Sequence, residues 1–201
     1  MTSLSKTALR DQMRAQRAAL SAQDPDAGET LAETFPMKLL QRYGPQVAAY
    51  LPIGSEIDPR PLMRRLEAAG ACLSLPCVLE GGAMVYRAYS YGDMLERRAF
   101  GLLEPQSGVP DITPTLILAP LLAFDALGNR LGYGKGHYDR AIGRLRQSGR
   151  VFVCGLAFQG QQLEAVPAEQ HDVPLDWAVT ECGSVPIFMM RTFQAGASAK
   201  S

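Results

Sequence analysis

Residues 116 to 124 of this chain read Leu-Ile-Leu-Ala-Pro-Leu-Leu-Ala-Phe, with no polar side chain between Thr115 and Asp125. A strand with one wet face alternates apolar and polar residues. A strand with no polar position must be covered on both faces. The run is too short to cross a bilayer, which takes roughly 20 apolar residues. It therefore predicts the central strand region of a sheet sandwiched between helices, interrupted at Pro120. Shorter apolar runs lie at 46–53, 71–76, 84–89, 150–158 and 176–181. Helical patterns fall between them. The first covers 5–21, with Ser5 as its cap and Leu4 placed against Leu9 as a hydrophobic staple. The second covers 26–43, broken near Phe35-Pro36 and ended by Gly44-Pro45. A third, 57–70, closes on Gly70, and a fourth covers 136–148. Strands alternating with helices predict an α/β fold, with a largely parallel or mixed sheet and helices on both faces. The length suits a single domain, 1–190, followed by a flexible tail, 191–201.

Charge is balanced, with 20 Lys+Arg against 20 Asp+Glu. A chain-wide basic field for nucleic acid is therefore not expected. The first residues, Met-Thr-Ser-Leu-Ser-Lys, contain no apolar signal core, so a cytoplasmic protein without a membrane partner is expected. Cys72, Cys77, Cys154 and Cys182 show no Cys-x-x-Cys spacing, which favours free thiols over a zinc site. Cys154 lies inside an apolar strand and reads as packing. With 2 histidines, a His-rich metal centre is excluded.

The chemistry concentrates in Asn129–Arg140, Asn-Arg-Leu-Gly-Tyr-Gly-Lys-Gly-His-Tyr-Asp-Arg. In sheets of this kind ligands bind beyond the carboxyl ends of strands, where this stretch lies. Gly132, Gly134 and Gly136 let backbone N–H groups approach an anion, and the following helix adds its N-terminus. Arg130 and Lys135 add positive charge. The dinucleotide pattern G-x-G-x-x-G fails, because its third glycine would fall on His137 or Asp139. The P-loop pattern fails as well, because Asn129 replaces its leading glycine and Gly136 its Ser/Thr. An anion site still outweighs a plain connector. Asp139 can serve the helix dipole or hold Mg²⁺, which takes carboxylate and phosphate oxygens. A second acid is available at Asp172 or Asp176, and spacing does not choose between them.

These residues carry a resemblance. Residues from about 5 to 182 resemble the 5-formyltetrahydrofolate cyclo-ligase family, also called 5,10-methenyltetrahydrofolate synthetases. Five segments match in order. They are the basic opening helix (6–20), the stretch from Tyr50 to Met63 that begins Tyr-Leu-Pro-Ile-Gly-Ser-Glu, Phe-Gly-Leu-Leu-Glu-Pro-Gln (100–106), the glycine loop with its preceding apolar run (118–140), and the stretch from His171 to Glu181 that begins His-Asp-Val-Pro-Leu-Asp-Trp. The resemblance implies a fold like that of ribose-5-phosphate isomerase and CoA-transferase proteins. It implies cyclisation of 5-formyltetrahydrofolate, with or without a polyglutamate tail, to 5,10-methenyltetrahydrofolate. ATP is the co-substrate, Mg²⁺ the cofactor, and ADP and phosphate the products; a monomer is expected. It places Lys6, Arg10 and the stretch Arg130, Leu131, Gly132, Tyr133, Gly134, Lys135, Gly136, His137, Tyr138 on ATP. Lys135, Arg130 and Tyr138 become the catalytic group. Asp139 and Asp172 become the Mg²⁺ ligands, and Leu51, Glu56 and Phe100 folate contacts. The family usually has Tyr-Tyr where this chain has His137-Tyr138. An imidazole there brings a group that ordinarily titrates near neutrality. Two rival readings remain: a non-catalytic nucleotide- or folate-binding protein, and a sugar-phosphate or CoA enzyme on the same scaffold.

Overall fold

A computed structural model describes residues 5–98 and 102–187. Leu4, Phe100 and the tail 191–201 lie outside the described residues. Helices α1 (Lys6–Gln23), α2 (Ala27–Thr34) and α3 (Lys38–Tyr43) lead to β1 (Gln46–Ala48). Then come α4 (Arg60–Ala68), β2 (Cys72–Val78), β3 (Met84–Ala88), β4 (Leu95–Arg97) and β5 (Leu103–Pro105). Next are β6 (Leu116–Pro120), β7 (Ala123–Phe124), β8 (Arg130–Leu131) and α5 (His137–Ser148). The chain continues through β9 (Phe152–Leu156), β10 (Trp177–Thr180) and β11 (Gly183–Val185).

One sheet holds seven of these strands in the order β11-β10-β9-β6-β1-β2-β3. The five inner strands are all parallel, and β3 and β11 close the edges antiparallel. The apolar run explains why. Leu116 and Leu118 point to one face, against Leu31 of α2, Leu39 of α3 and Leu66 of α4. Ile117 and Ala119 point to the other, against Ala141 and Ile142 of α5. Both faces are dry, so neither set of alternate positions can be polar.

The expected helices and inner strands are present, with shifted bounds. The second helical region splits into α2 and α3 on either side of Phe35-Pro36. Ser5 caps α1, its side chain accepting from Ala8 N at 3.3 Å. β6 stops at Pro120, where the interruption is expected. What differs is the continuation, because Ala123–Phe124 leave the sheet to pair with Arg130–Leu131. The β4–β5 hairpin and β11 were not predicted. Each strand there is three residues long with exposed positions, too short to print a period on the sequence.

Leu118 is fully buried at the centre of the sheet. Truncating such a leucine removes its transfer free energy and leaves a cavity. Leu118→Ala should lower unfolding free energy by roughly 2–5 kcal/mol in urea titration; a loss under about 1 kcal/mol would contradict a rigid two-faced core.

Candidate active site

From β1 the chain crosses through α4 to β2, and from β6 it crosses through α5 to β9 on the opposite side. The two crossovers diverge, which puts the ligand-binding crevice of such sheets beyond the carboxyl ends of β1 and β6. Three segments meet there: the turn after β1, the β7–β8 hairpin with the glycine loop that follows it, and α1. The apolar face of α1 (Leu9, Met13) packs on Leu122, Ala123 and Leu131. Its basic side chains therefore meet the loops.

Asp125 builds the hairpin. This buried carboxylate accepts from Leu127 N, Asn129 N and Asn129 Nδ2, and from Val166 N, at 2.8–2.9 Å. Gly128 turns with φ +85, where a Cβ would lie 2.6 Å from the Leu175 carbonyl. Arg130 thereby enters the loop from a fixed strand. Gly134 (φ +93) and Gly136 (φ +64) adopt left-handed backbone that side chains resist. Gly132 has no such φ and open space around it, so its glycine character has another basis. Gly136 stands at the N-cap of α5, whose first-turn amides point out of the helix.

The charged residues expected at the site are already paired with one another. Lys6 Nζ binds Asp172 Oδ2 at 2.7 Å and Glu169 Oε1 at 2.9 Å. Arg130 Nη2 binds Asp139 Oδ1 at 2.7 Å. Asp139 Oδ1 also accepts from Val173 N at 3.1 Å, which brings Asp139 to the residue after Asp172. Arg10 Nε donates to the Gly132 carbonyl at 3.0 Å, tying α1 to the loop. Arg130 Nη1 is buried without a hydrogen-bond partner among the described residues. A buried guanidinium N–H without an acceptor is costly, and a phosphate oxygen would satisfy it. Asp176 lies elsewhere. It accepts from Arg146 Nη2 and Val153 N, both at 2.8 Å, near the amino ends of β9 and β10. Among the described residues no cluster of three His, Cys, Asp or Glu side chains could hold a metal alone.

On the β1 side, Glu56 Oε2 accepts from Ile53 N at 2.8 Å and Oε1 from the Tyr133 hydroxyl at 2.5 Å. Arg17 completes the group. Its Nη1 donates to the Tyr133 oxygen at 2.6 Å and stands 3.7 Å from Glu56 Oε1, while Nε donates to Ser55 Oγ at 3.1 Å. Arg17 is 4% exposed and Glu56 7%. Burial raises the Glu56 carboxyl above its ordinary value, against the opposing pull of Tyr133, the Ile53 amide and Arg17. Burial and the Glu56 carboxylate push the Tyr133 hydroxyl far up, so it keeps its proton and donates it. Leu51 is half-buried against the core beside this turn.

A model of the 5-formyltetrahydrofolate cyclo-ligase family matches residues 2–181. This chain belongs to that family. The cyclo-ligase of Haemophilus influenzae is 30% identical over 182 residues, covering 87% of this chain and 97% of that protein. That of Escherichia coli K12 is 31% identical over 173 residues, covering 82% and 93%. The solved 5,10-methenyltetrahydrofolate synthetase of Aquifex aeolicus superimposes with a TM-score of 0.74 at 30% identity, covering 90% of this chain and 92% of that one.

Within this cyclo-ligase family member, the structure gathers Lys6, Arg10, the glycine loop, Asp139, Asp172 and Glu56 around one crevice. Lys135 is exposed on the loop, and Tyr138 is half-buried with Arg130 Cζ 5.9 Å from its ring centre. His137 Nδ1 lies 3.2 Å from both the Gly82 carbonyl and Arg140 Nη2. It can donate to the first or accept from the second, not both. Two important residues were not singled out from the sequence. Arg17 follows Lys6, Arg10 and Met13 at i+11, i+7 and i+4, and that stripe was its only signal. Asp125 was signalled by Asp-Ala-Leu-Gly-Asn, a turn in which an Asp side chain binds amides ahead of it.

The Lys6–Asp172 pair has a pH signature. Burial alone would raise the Asp172 carboxyl, but the bonds from Lys6 and Glu169 N outweigh it and hold the group below its ordinary 3.8. A depressed carboxyl adds stability that is full above the ordinary value and lost as pH falls through the folded one. In metal-free buffer, acid unfolding below about pH 4 should be shallower for Asp172→Asn than for the parent. Superimposable acid limbs would show that the pair adds nothing.

Proposed function

We propose that this chain closes 5-formyltetrahydrofolate to 5,10-methenyltetrahydrofolate at the expense of ATP, releasing ADP and phosphate. The observation that carries this reading is the pairing of the site with itself. The cations expected on phosphates hold the very carboxylates expected on Mg²⁺. An anion with its counter-cation is the ligand that would replace both partners at once.

The chemistry requires activation of a poor leaving group. The formyl oxygen attacks the γ-phosphorus, ADP leaves, and the formyl carbon becomes a phosphorylated iminium. N10 of the folate then adds to that carbon and phosphate departs. Positioning and charge neutralisation lower such barriers more than covalent protein chemistry does. Arg130, Lys135, Lys6 and Arg10 are placed to neutralise phosphoryl oxygens. Tyr138 stays against Arg130 and keeps its guanidinium plane oriented. Glu56, with Leu51, orients the folate ring from the β1 side, and Phe100 is taken as a further folate contact.

Asp139 and Asp172 fit a divalent cation, because each engages through one oxygen and the second has no hydrogen bond among the described residues. When bound, Mg²⁺ supplies charge neutralisation at the phosphates. Lys6 and Arg130 then give up their carboxylates and turn to the nucleotide. The substrates are taken as 5-formyltetrahydrofolate, with or without a polyglutamate tail, and ATP. The protein acts as a cytoplasmic monomer, and residues 1–190 form its one catalytic domain.

Mixing protein, 5-formyltetrahydrofolate and Mg·ATP should raise the near-ultraviolet absorbance of the methenyl product. In the same assay Asp139→Asn and Lys135→Ala should each cut turnover by about 10²–10³ with unchanged circular dichroism. Full turnover in either variant would remove its assigned role. The ion-pair exchange has its own test. Asp172→Asn with Glu169→Gln releases Lys6 from both its carboxylates, so the double variant should bind a non-hydrolysable ATP analogue more tightly than the parent in EDTA and more weakly in Mg²⁺, by calorimetry. Weaker binding under both conditions would argue against the exchange.

A further inference from the structure

We propose that Arg17 is a positioning residue of this site, acting through the Tyr133 hydroxyl to set the Glu56 carboxylate for folate. The proposal rests on the folate reading of Glu56. Arg17 comes from α1 and reaches two segments that share no secondary structure. Its Nε holds Ser55 Oγ in the turn after β1, and its Nη1 holds Tyr133 in the glycine loop. Nη1 also lies 3.5 Å from the Leu121 carbonyl, just past β6. One planar fork thus spans all three sides of the crevice. A guanidinium presents donors at fixed angles, which an ammonium does not.

The Tyr133 oxygen is the junction. It accepts from Arg17 and donates to Glu56 Oε1, so the carboxylate takes its position from an arginine it does not directly hydrogen-bond. Arg17 Cζ also stands 5.5 Å from the Tyr133 ring centre, so the fork fixes the ring as well as the hydroxyl. Tyr133 is 38% exposed and flanked by Gly132 and Gly134. Its ring lies partly open to solvent on the loop, and its hydroxyl is the part held inside. Glu56 has both oxygens in use, Oε2 by the Ile53 amide and Oε1 by Tyr133. A folate N–H donor arriving at Oε1 would share that oxygen with the Tyr133 hydroxyl or replace it. The geometry of that exchange is set by Arg17.

A purely structural arginine would act differently. It would supply charge beside a buried carboxylate, and a lysine would replace it. A positioning arginine needs the fork. Arg17→Lys should therefore keep a melting temperature near the parent's while the folate KM rises about 10-fold, with the ATP KM little changed. Tyr133→Phe should raise the folate KM by a similar factor. In the double variant the two effects should not multiply, leaving about 10-fold rather than 100-fold. A multiplicative double variant, or folded single variants with the parent's folate KM, would overturn the proposal. Should Arg17→Lys not fold, Ser55→Ala loosens the same fork without touching its charge. It should raise the folate KM about threefold, and an unchanged value there overturns the proposal equally. Glu56→Gln separates the two layers. If its folate KM is unchanged, the folate reading fails. If its KM rises while the Arg17 and Tyr133 variants stay at the parent value, only the role of Arg17 fails.

Discussion

Burying a sheet on both faces decides where everything else in this chain can go. Polar chemistry cannot sit among the alternating Leu116, Ile117, Leu118 and Ala119 of β6, because each faces a dry cluster. It is pushed to the strand ends. Two of the ends also lie where successive crossovers diverge, the place where such sheets take their ligands. The crevice beyond β1 and β6 follows from the strand order itself. What the family needed to add was a set of short, stiff connections that deliver charge into it.

Those connections are held by buried polar groups. The Asp125 carboxylate, with four hydrogen bonds, turns a two-strand hairpin so that Arg130 leaves it in one direction. Gln161 does the same for the preceding residues, its amide donating to the carbonyls of Leu121 and Leu122 at 2.9 Å. Neither side chain is expected to meet a ligand. Each satisfies backbone groups that a sharp turn leaves without partners, and an unsatisfied buried group costs about 1–3 kcal/mol. The site's precision begins with this backbone bookkeeping, one layer away from the reacting atoms.

The fold was legible where a period ran long enough. β6 and β9 are five residues each, β9 wholly buried and β6 buried up to Pro120, and the amphipathic α1 spans 18 residues. The three-residue edge strands carry no period, and the departure of Ala123–Phe124 from the sheet is set by tertiary partners that no local pattern encodes. The candidate site was legible through its glycine loop and through resemblance. It was not legible through Arg17, because an arginine on a basic helix looks like every other solvated charge. Only the tertiary placement of α1 across the strand ends distinguishes Arg17, with its buried guanidinium, from Arg14, whose side chain pairs with Asp11 in solvent. The choice between Asp172 and Asp176 was likewise invisible to spacing. Asp172 stands with Lys6 near the crevice, whereas Asp176 holds Val153 N and Arg146 at the other end of the sheet.

A site that must bind a polyanion and a divalent cation has an electrostatic problem before they arrive. Cations and carboxylates converge on this part of the molecule, and a buried one left unpaired would carry a desolvation cost of several kcal/mol. Pairing Lys6 with Asp172, Arg130 with Asp139 and Arg17 with Glu56 offsets that cost in the free protein. The first two pairs are between residues proposed to part on binding, and their side chains are only partly shielded from solvent on the carboxylate side. The third is buried on both sides and bridged by a tyrosine hydroxyl, an arrangement suited to staying in place. The difference in burial sorts the ion pairs into those that exchange and one that holds. On the proposed assignment, the nucleotide side would reorganise while the folate side keeps its shape.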